Sequence, residues 1–434
     1  MTSFSALGLA APILKALQHE GYRQPTPIQA KAIPVALAGR DLLGIAQTGT
    51  GKTAAFALPI IHRLAADPRP ALRKGCRVLV LSPTRELATQ IAESFRTYGR
   101  QLNLSVAVVF GGVGRRQQVQ ALARGVDVVV ATPGRLLDHI AERNLNLAGT
   151  EILVLDEADQ MLDLGFLPPI RKIVSNLSSR RQNLFFSATM PREIAKLADE
   201  LLRDPVRVTV TPAASTVASV SQRVLHVESH NKTMLLIELF GDPQMSRALV
   251  FMRTKRGADR VARHLEVAGI GVAAIHGNKS QSQREHALAA FRASKVRALV
   301  ATDIAARGID IDEVTHVVNY ELPDVPESYV HRIGRTGRAG ALGFAISLCA
   351  PDEREQLRNI ERLIRQSIPA EDRRENRMRP AGEPLPGLRQ PAAGTRADTP
   401  RTGHQSRGRH HRGFGSERRF SPTNGGLARR AVRA

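Results

Sequence analysis

The sequence has no tryptophan, only 4% aromatic residues and two cysteines in 434 positions. With so few rings, its cores must be built from aliphatic side chains. Cys76 and Cys349 lie too far apart in sequence to form a cysteine-spaced metal site, so a reduced protein with two inert thiols is expected. No apolar run reaches the roughly 20 residues of a membrane-spanning helix, so no membrane partner is expected. The opening residues, Met1-Thr2-Ser3-Phe4-Ser5, have neither the basic start nor the apolar stretch of a secretory signal, which points to the cytoplasm. Acid is scarce too: 40 Asp and Glu stand against 62 Lys and Arg, a net charge of +22. Polyanions are the natural partners of such a chain.

What is present is aliphatic and alternates. Val78–Leu81, Val106–Val109, Val126–Val130, Ile152–Leu155 and Leu184–Phe186 read as strands separated by amphipathic stretches. Near-continuous apolar strands of this kind imply a parallel sheet covered on both faces, the α/β class. Small and polar residues around 211–216 suggest a linker. The pattern then resumes with Val224–Val227, Ala248–Phe251, Val272–Ile275, Ala298–Val300 and His316–Asn319. The expected organisation is a first domain over 1–208, a linker over 209–217, a second α/β domain over 218–368 and a tail over 369–434. Residues 371–434 hold fifteen Arg, no Lys and six acidic residues, a net +9. Poor in aliphatics and rich in Gly, Pro, Ser and Thr, this segment is expected to be a disordered basic extension.

Two short stretches carry the chemistry. Ala46-Gln47-Thr48-Gly49-Thr50-Gly51-Lys52-Thr53 follows the apolar Leu42-Leu43-Gly44-Ile45 and has the make-up of a phosphate-binding loop. Gly49 and Gly51 let backbone N–H groups approach phosphate oxygens, Lys52 adds a point charge and the Thr53 hydroxyl can ligate Mg²⁺. Ala46 stands where the general loop pattern has its first Gly. Asp156-Glu157-Ala158-Asp159 follows the wholly apolar Ile152–Leu155, which sets its carboxylates at a strand end beside the loop. There Asp156 is expected to hold Mg²⁺ and Glu157 to polarise the attacking water. His331-Arg332-Ile333-Gly334-Arg335-Thr336-Gly337-Arg338, in the second domain, reads as an arginine-finger donor whose use requires the two domains to close. Nucleoside triphosphate hydrolysis is the expected reaction.

These motifs and their neighbours, in this order, resemble the DEAD-box family of ATP-dependent RNA helicases over roughly residues 4–366. The further matching stretches are Gly21-Tyr22-Arg23-Gln24-Pro25-Thr26-Pro27-Ile28-Gln29 with Phe4 upstream, Pro83–Ala88, Gly111-Gly112, Thr132–Arg135, Ser187-Ala188-Thr189, Val250–Lys255, Gln281–Arg284 and Ala301–Asp310. Ala274–Gln281, Phe110–Val113 and Asn319–Pro323 resemble the bacterial RhlE-type subgroup. The resemblance implies two tandem RecA-like domains, ATP and Mg²⁺ as cofactors, and RNA as partner. It implies that Gln29 reads the adenine edge, Tyr22 stacks on the base and Asp310 contacts the ribose. Thr48, Gly49, Thr50, Gly51, Lys52 and Thr53 would bind the phosphates, and Arg335 and Arg338 would reach the γ-phosphate. Ser187 and Thr189, with Asp159 and His331, would couple hydrolysis to domain closure. For RNA it implies Arg85, Gly112, Thr132 and Arg135 in the first domain and Thr254, Gln281, Arg284 and Thr302 in the second. Such small, hydroxylated or basic groups suit sugar–phosphate contacts with little sequence preference.

The expected activity is RNA-stimulated ATP hydrolysis coupled to local unwinding of short duplexes, in ribosome assembly or RNA turnover. An ATP-gated RNA clamp and a tail-driven RNA-annealing chaperone are the alternatives. In the tail, Ser406–Gly415 interleaves Arg with Gly and Phe414, chemistry able to tether RNA. His404, His410 and His411 have no Cys or acidic residue around them, and no zinc is expected.

Overall fold

The strands expected from the apolar runs form two sheets of seven, all parallel, in a computed structural model that describes residues 3–47, 49–210, 220–306, 314–337 and 342–374. The first sheet comprises β1 (Leu42–Ile45), β2 (Cys76–Leu81), β3 (Val106–Val109), β4 (Val126–Ala131), β5 (Ile152–Leu155), β6 (Gln182–Ser187) and β7 (Val206–Thr209). The second comprises β8 (Val220–His226), β9 (Ala248–Met252), β10 (Val272–Ile275), β11 (Ala298–Thr302), β12 (His316–Asn319), β13 (Gly343–Cys349) and β14 (Ala370–Asp372). Their orders are β3-β4-β2-β5-β6-β1-β7 and β10-β11-β9-β12-β13-β8-β14. Adding seven to each strand number of the first order gives the second. The chain thus repeats one topology, although its residues show no obvious repeat.

Residues 370–372, placed in the tail from composition, belong to the second sheet instead. They pair parallel with β8, Ala370 opposite Val224 and Asp372 opposite His226. The expected linker falls largely on residues 211–219, and the rest of the tail on 375–434; both lie outside the described residues.

Nine helices are labelled here, all packed with the first sheet: α1 (Ala11–His19), α2 (Pro27–Leu37), α3 (Lys52–Ala66), α4 (Arg85–Tyr98), α5 (Arg115–Leu122), α6 (Pro133–Ala141), α7 (Ala158–Asp163), α8 (Leu167–Val174) and α9 (Arg192–Leu201). Local chemistry fixes where several begin. The Thr26 N–H donates to the Gln29 side chain at the start of α2, whose first residue is Pro27, and the Thr84 hydroxyl accepts the Leu87 N–H at α4. Proline is tolerated in a first turn because its missing N–H has no partner there anyway.

The sheet is covered on both faces, by α1–α4 on one side and α6–α9 on the other. The scarce rings are concentrated under the first group. Phe56 packs against Phe186 at 5.4 Å and against Phe95 at 6.3 Å. Each such ring, fully buried, contributes about 1.5–3 kcal/mol by removal from water. Cys76 and Cys349 are both buried and free, and burial raises the Cys76 thiol to about 12 and the Cys349 thiol to about 11. Among the described residues no helix is long and apolar enough to cross a membrane.

Candidate nucleotide and nucleic-acid site

The phosphate loop leaves the carboxyl end of β1, and its start is pinned when Ala46 N donates to Ser187 O at the end of β6 (3.0 Å). Gly51 then turns the chain into α3 with φ +91°, and a Cβ there would lie 2.4 Å from Gln29 Nε2. Only glycine fits both the left-handed backbone and that approach. Gly49 is likewise left-handed, at φ +83°. The Thr50 hydroxyl donates to Gln47 O at 2.7 Å. Lys52 is the first residue of α3, and its buried ammonium donates to Ala46 O at 2.9 Å. Half-buried Thr53 comes next. Thr48 lies outside the described residues.

In the sheet β5 lies two places from β1, with β6 between. Asp156, at the end of β5, is buried and accepts the Glu157 N–H at 3.0 Å. Burial raises its carboxyl to about 7; the Lys52 ammonium pulls the other way, and Glu157 adds to the rise. Lys52 and Asp156 are therefore within electrostatic reach. Glu157 takes up φ +55°, a left-handed conformation that costs a non-glycine residue about 1–3 kcal/mol.

Asp159 ties this turn to the end of β6. Its Oδ2 accepts from Thr189 N at 2.8 Å and from Thr189 Oγ1 at 2.9 Å. Asp159 N donates to Ser187 Oγ (3.2 Å), and that hydroxyl donates to Thr189 O (2.7 Å). The structure thus brings Ser187, Thr189 and Asp159 into one network.

The glutamine and tyrosine expected at the base are braced by the protein itself. Gln29 is buried; its Oε1 accepts from Thr26 N (2.9 Å) and its Nε2 donates to Gly51 O (3.1 Å). The side chain assigned to the adenine edge also fastens α2 to the phosphate loop. Tyr22 is exposed, and its ring meets Phe4 and Tyr98 edge-on at 6.2 and 6.0 Å. Its hydroxyl lies 2.9 Å from that of Tyr98.

In the second half, Arg332 is the largest fully buried side chain. Its Nε and Nη2 each lie 2.6 Å from Asp303, Nη1 donates to Asn319 Oδ1 (3.1 Å) and Glu321 O (2.7 Å), and the guanidinium sits over Phe251. Arg335 N donates to Arg332 O at 3.1 Å. His331, Arg332, Arg335, Ser328 and Asp303 line one small hollow. Asp310 and Arg338 lie outside the described residues.

Of the eight residues expected to touch RNA, seven sit at strand ends or in the first turns of helices, and Gly112 lies in the loop between β3 and α5. Arg85 opens α4 and Thr132 caps α6; Thr254 caps the helix Lys255–Val267, its hydroxyl accepting the Gly257 N–H. Thr302 ends β11, and Gln281 opens the helix Gln281–Arg292. Arg135 Nη1 donates to Val113 O at 3.3 Å, and its Nε lies 3.4 Å from Asp138 Oδ2. Arg85 packs against Gly112, where a Cβ would fall 2.0 Å from Arg85 Nη1. The two groups meet: Arg85 Nη1 reaches Gln281 Oε1 at 3.5 Å, and Arg284 Nε lies 2.9 Å from Glu86 Oε1.

Sequence reasoning gave no role to Glu86, Tyr98 or Arg332. Glu86 and Arg332 lie inside motifs already singled out. Tyr98 offered no signal, because its partner Tyr22 is 76 residues away in sequence.

Two family models match the chain: DEAD/DEAH box helicase over residues 26–197 and helicase conserved C-terminal domain over 231–340. It is 42% identical over 368 residues to the DEAD-box ATP-dependent RNA helicase CshA of Geobacillus kaustophilus, covering 85% of this chain and 78% of that protein. It is 43% identical over 371 residues to DEAD-box ATP-dependent RNA helicase 30 of Arabidopsis thaliana, covering 85% of this chain and 62% of that longer protein. Among solved structures it resembles S. cerevisiae Dbp5 bound to RNA and ADP BeF3, with a TM-score of 0.77 at 30% identity, over 86% of this chain and 96% of that one. The DEAD-box helicase Mss116 bound to ssRNA and UDP-BeF gives a TM-score of 0.78 at 25% identity, over 86% of this chain and 80% of that one. The chain belongs to the DEAD-box family of ATP-dependent RNA helicases.

Proposed function

We propose that this helicase hydrolyses ATP in the cleft of its first half and uses closure of the second half to pull short RNA duplexes apart locally. The observation that carries the reading is the meeting of the two RNA-facing groups, Arg85 with Gln281 and Glu86 with Arg284. A single strand held across both groups favours closure; a duplex that cannot follow the same path loses base pairs, each step costing about 1.4 kcal/mol. The likeness to Dbp5 bound to RNA and ADP BeF3 supports both the nucleotide and the nucleic acid as ligands.

At the nucleotide, the N–H groups of the loop and Lys52 bind the phosphates, with Lys52 leaving Ala46 O to do so. Gln29 reads the adenine edge with the hydrogen-bonding capacity left after Thr26 and Gly51, and Tyr22 stacks on the ring. Buried Asp156, pushed up to about 7 by its burial, fits a cation site. With the Thr53 hydroxyl it would hold a hydrated Mg²⁺, which when bound neutralises phosphate charge. Glu157 orients and polarises the attacking water. Arg335 and Arg338 stabilise charge on the γ-phosphate, with Asp310 on the ribose. Asp159, Ser187, Thr189 and His331 relay the nucleotide state to closure.

Arg85, Gly112, Thr132, Arg135, Thr254, Gln281, Arg284 and Thr302 take the sugar–phosphate backbone. We take the domains as 1–208 and 218–368, the second extended to include β14. Within the family the RhlE-type subgroup fits the stretches quoted for it, and the cytoplasmic setting is ribosome assembly or RNA turnover, the basic tail tethering RNA.

The test is steady-state ATP hydrolysis with single-stranded RNA, with matched DNA and with neither, for the wild type and Glu157→Gln. Stimulation by RNA alone, lost in the variant, is expected. Equal stimulation by DNA, or none, would sink the reading.

A further inference from the structure

At the end of the first sheet opposite the phosphate loop there is a cavity of about 350 Å³, within the range of small-molecule sites. Its apolar lining is Leu37, Leu64, Ala66, Val78 of β2 and Ile152 of β5, of which Leu37 and Ala66 are accessible and the others buried, and the last turns of α3 and the loop after it form the wall. Its polar lining is dominated by guanidinium groups: Arg63, Arg69 and Arg77 against Asp67 and Glu151.

The state of each arginine decides what the cavity can bind. Arg77 is buried and saturated. It donates from Nε to Glu151 (2.7 Å), from Nη2 to Asp67 Oδ2 (3.0 Å), and from Nη1 to the carbonyl of Asp67 (2.6 Å). The two carboxylates are thereby committed, and Arg69 holds the same pair, Nε to Asp67 Oδ2 at 2.7 Å and Nη2 near Glu151 Oε2 at 3.2 Å. Arg63 uses Nη1 on Gln182 Oε1. Among the described residues this leaves Arg63 Nε and Nη2 and Arg69 Nη1 without partners, with one net positive charge across the five groups. His62 adds a donor: its Nδ1 accepts from Ala10 N (3.1 Å), so the neutral ring carries its proton on Nε2. Acceptors are occupied and donors are open beside an aliphatic lining.

We propose that this cavity is a second ligand site, distinct from the nucleotide and RNA surfaces, for a small organic anion with one phosphate or carboxylate group on an apolar body. The anionic group takes Arg63 and Arg69, and the body lies on Leu37 and Ala66. Because α3 runs from Lys52 to Ala66, the site holds the far end of the helix that begins in the phosphate loop.

The experiment is calorimetric titration of the full chain, with ADP saturating the phosphate loop, using phenyl phosphate and benzoate as probes. Either probe is expected to saturate with a dissociation constant on the order of 1 mM; the one that does assigns phosphate or carboxylate as the recognised group. Arg63→Gln should weaken binding at least roughly tenfold. Ala66→Glu, at an exposed position, puts a like charge at the wall without disturbing the core and should abolish it. Saturation by neither probe below about 20 mM, or equal affinity in wild type and both variants, would overturn the site. Anion binding elsewhere on this basic chain would be untouched by these two changes and is distinguished by them.

Discussion

Arg284 Nε and Glu86 Oε1 lie 2.9 Å apart, joining residues almost two hundred positions apart across the two halves, with side chains 12% and 4% exposed. Arg284 also lies close enough to Arg85 to hold its guanidinium below the usual range, second to burial as a cause. Glu86 is the counter-charge in this basic cluster, and Glu86→Gln keeps its size while removing that charge. The RNA-stimulated kcat/KM for ATP should fall about tenfold, equivalent to ~1.4 kcal/mol of closure. A double-mutant cycle with Arg284→Gln should give a coupling of about 1 kcal/mol or more. Strict additivity would show that the pair contributes nothing to closure.

Gly112 sits at φ +78°, with the Arg85 guanidinium where a Cβ would go. Gly112→Ala strains the backbone by about 1 kcal/mol and drives the guanidinium off its place beside Gln281. RNA affinity should drop about five- to tenfold with ATP affinity unchanged. Fluorescence anisotropy on a labelled single strand, with and without nucleotide, measures both. Undiminished RNA binding would mean that Arg85 relocates without loss.

The buried Gln29 amide joins Thr26 N to Gly51 O, so Gln29→Ala removes two bonds from groups that water cannot fully reach. The first half should lose about 1–3 kcal/mol of stability in urea unfolding, and ATP should bind at least about tenfold more weakly. A variant that binds ATP poorly yet unfolds like wild type would show that the bracing role is energetically empty.

Legibility from sequence tracked how local the cause was. Ile152–Leu155 announced β5 because a central parallel strand is apolar on both faces. Ala370–Asp372 did not, because β14 pairs on one side only, with β8, and its polar composition matches the tail that follows. The phosphate loop and the Asp156–Asp159 turn were legible because their spacing is itself the chemistry. The bracing of Gln29 by Gly51 and the Glu86–Arg284 pair were not. Both join groups far apart in sequence, α2 to the phosphate loop in one case and α4 to the helix Gln281–Arg292 in the other, and no local pattern encodes such a contact.

His316 offers a stability readout independent of nucleotide. It is buried on β12, stacked on Phe344 with centroids 5.0 Å apart, and burial holds its imidazole down at about 4. Unfolded, it would titrate near 6.5. Between those values the unfolded chain binds a proton that the native state refuses, so this group's contribution is complete above pH 6.5 and is lost as pH falls toward 4. The full span amounts to about 3 kcal/mol. Asp156 runs the other way: its carboxyl is raised from 3.8 to about 7, so its contribution is complete below 3.8 and is lost as pH rises through 7. The wild-type profile mixes the two, and only a difference between proteins isolates either. In urea unfolding of the second half at pH 7 and pH 5, His316→Phe should lose about 2 kcal/mol less than wild type over that interval. Parallel pH profiles for the two proteins would show that the His316 ring is already protonated in the folded state.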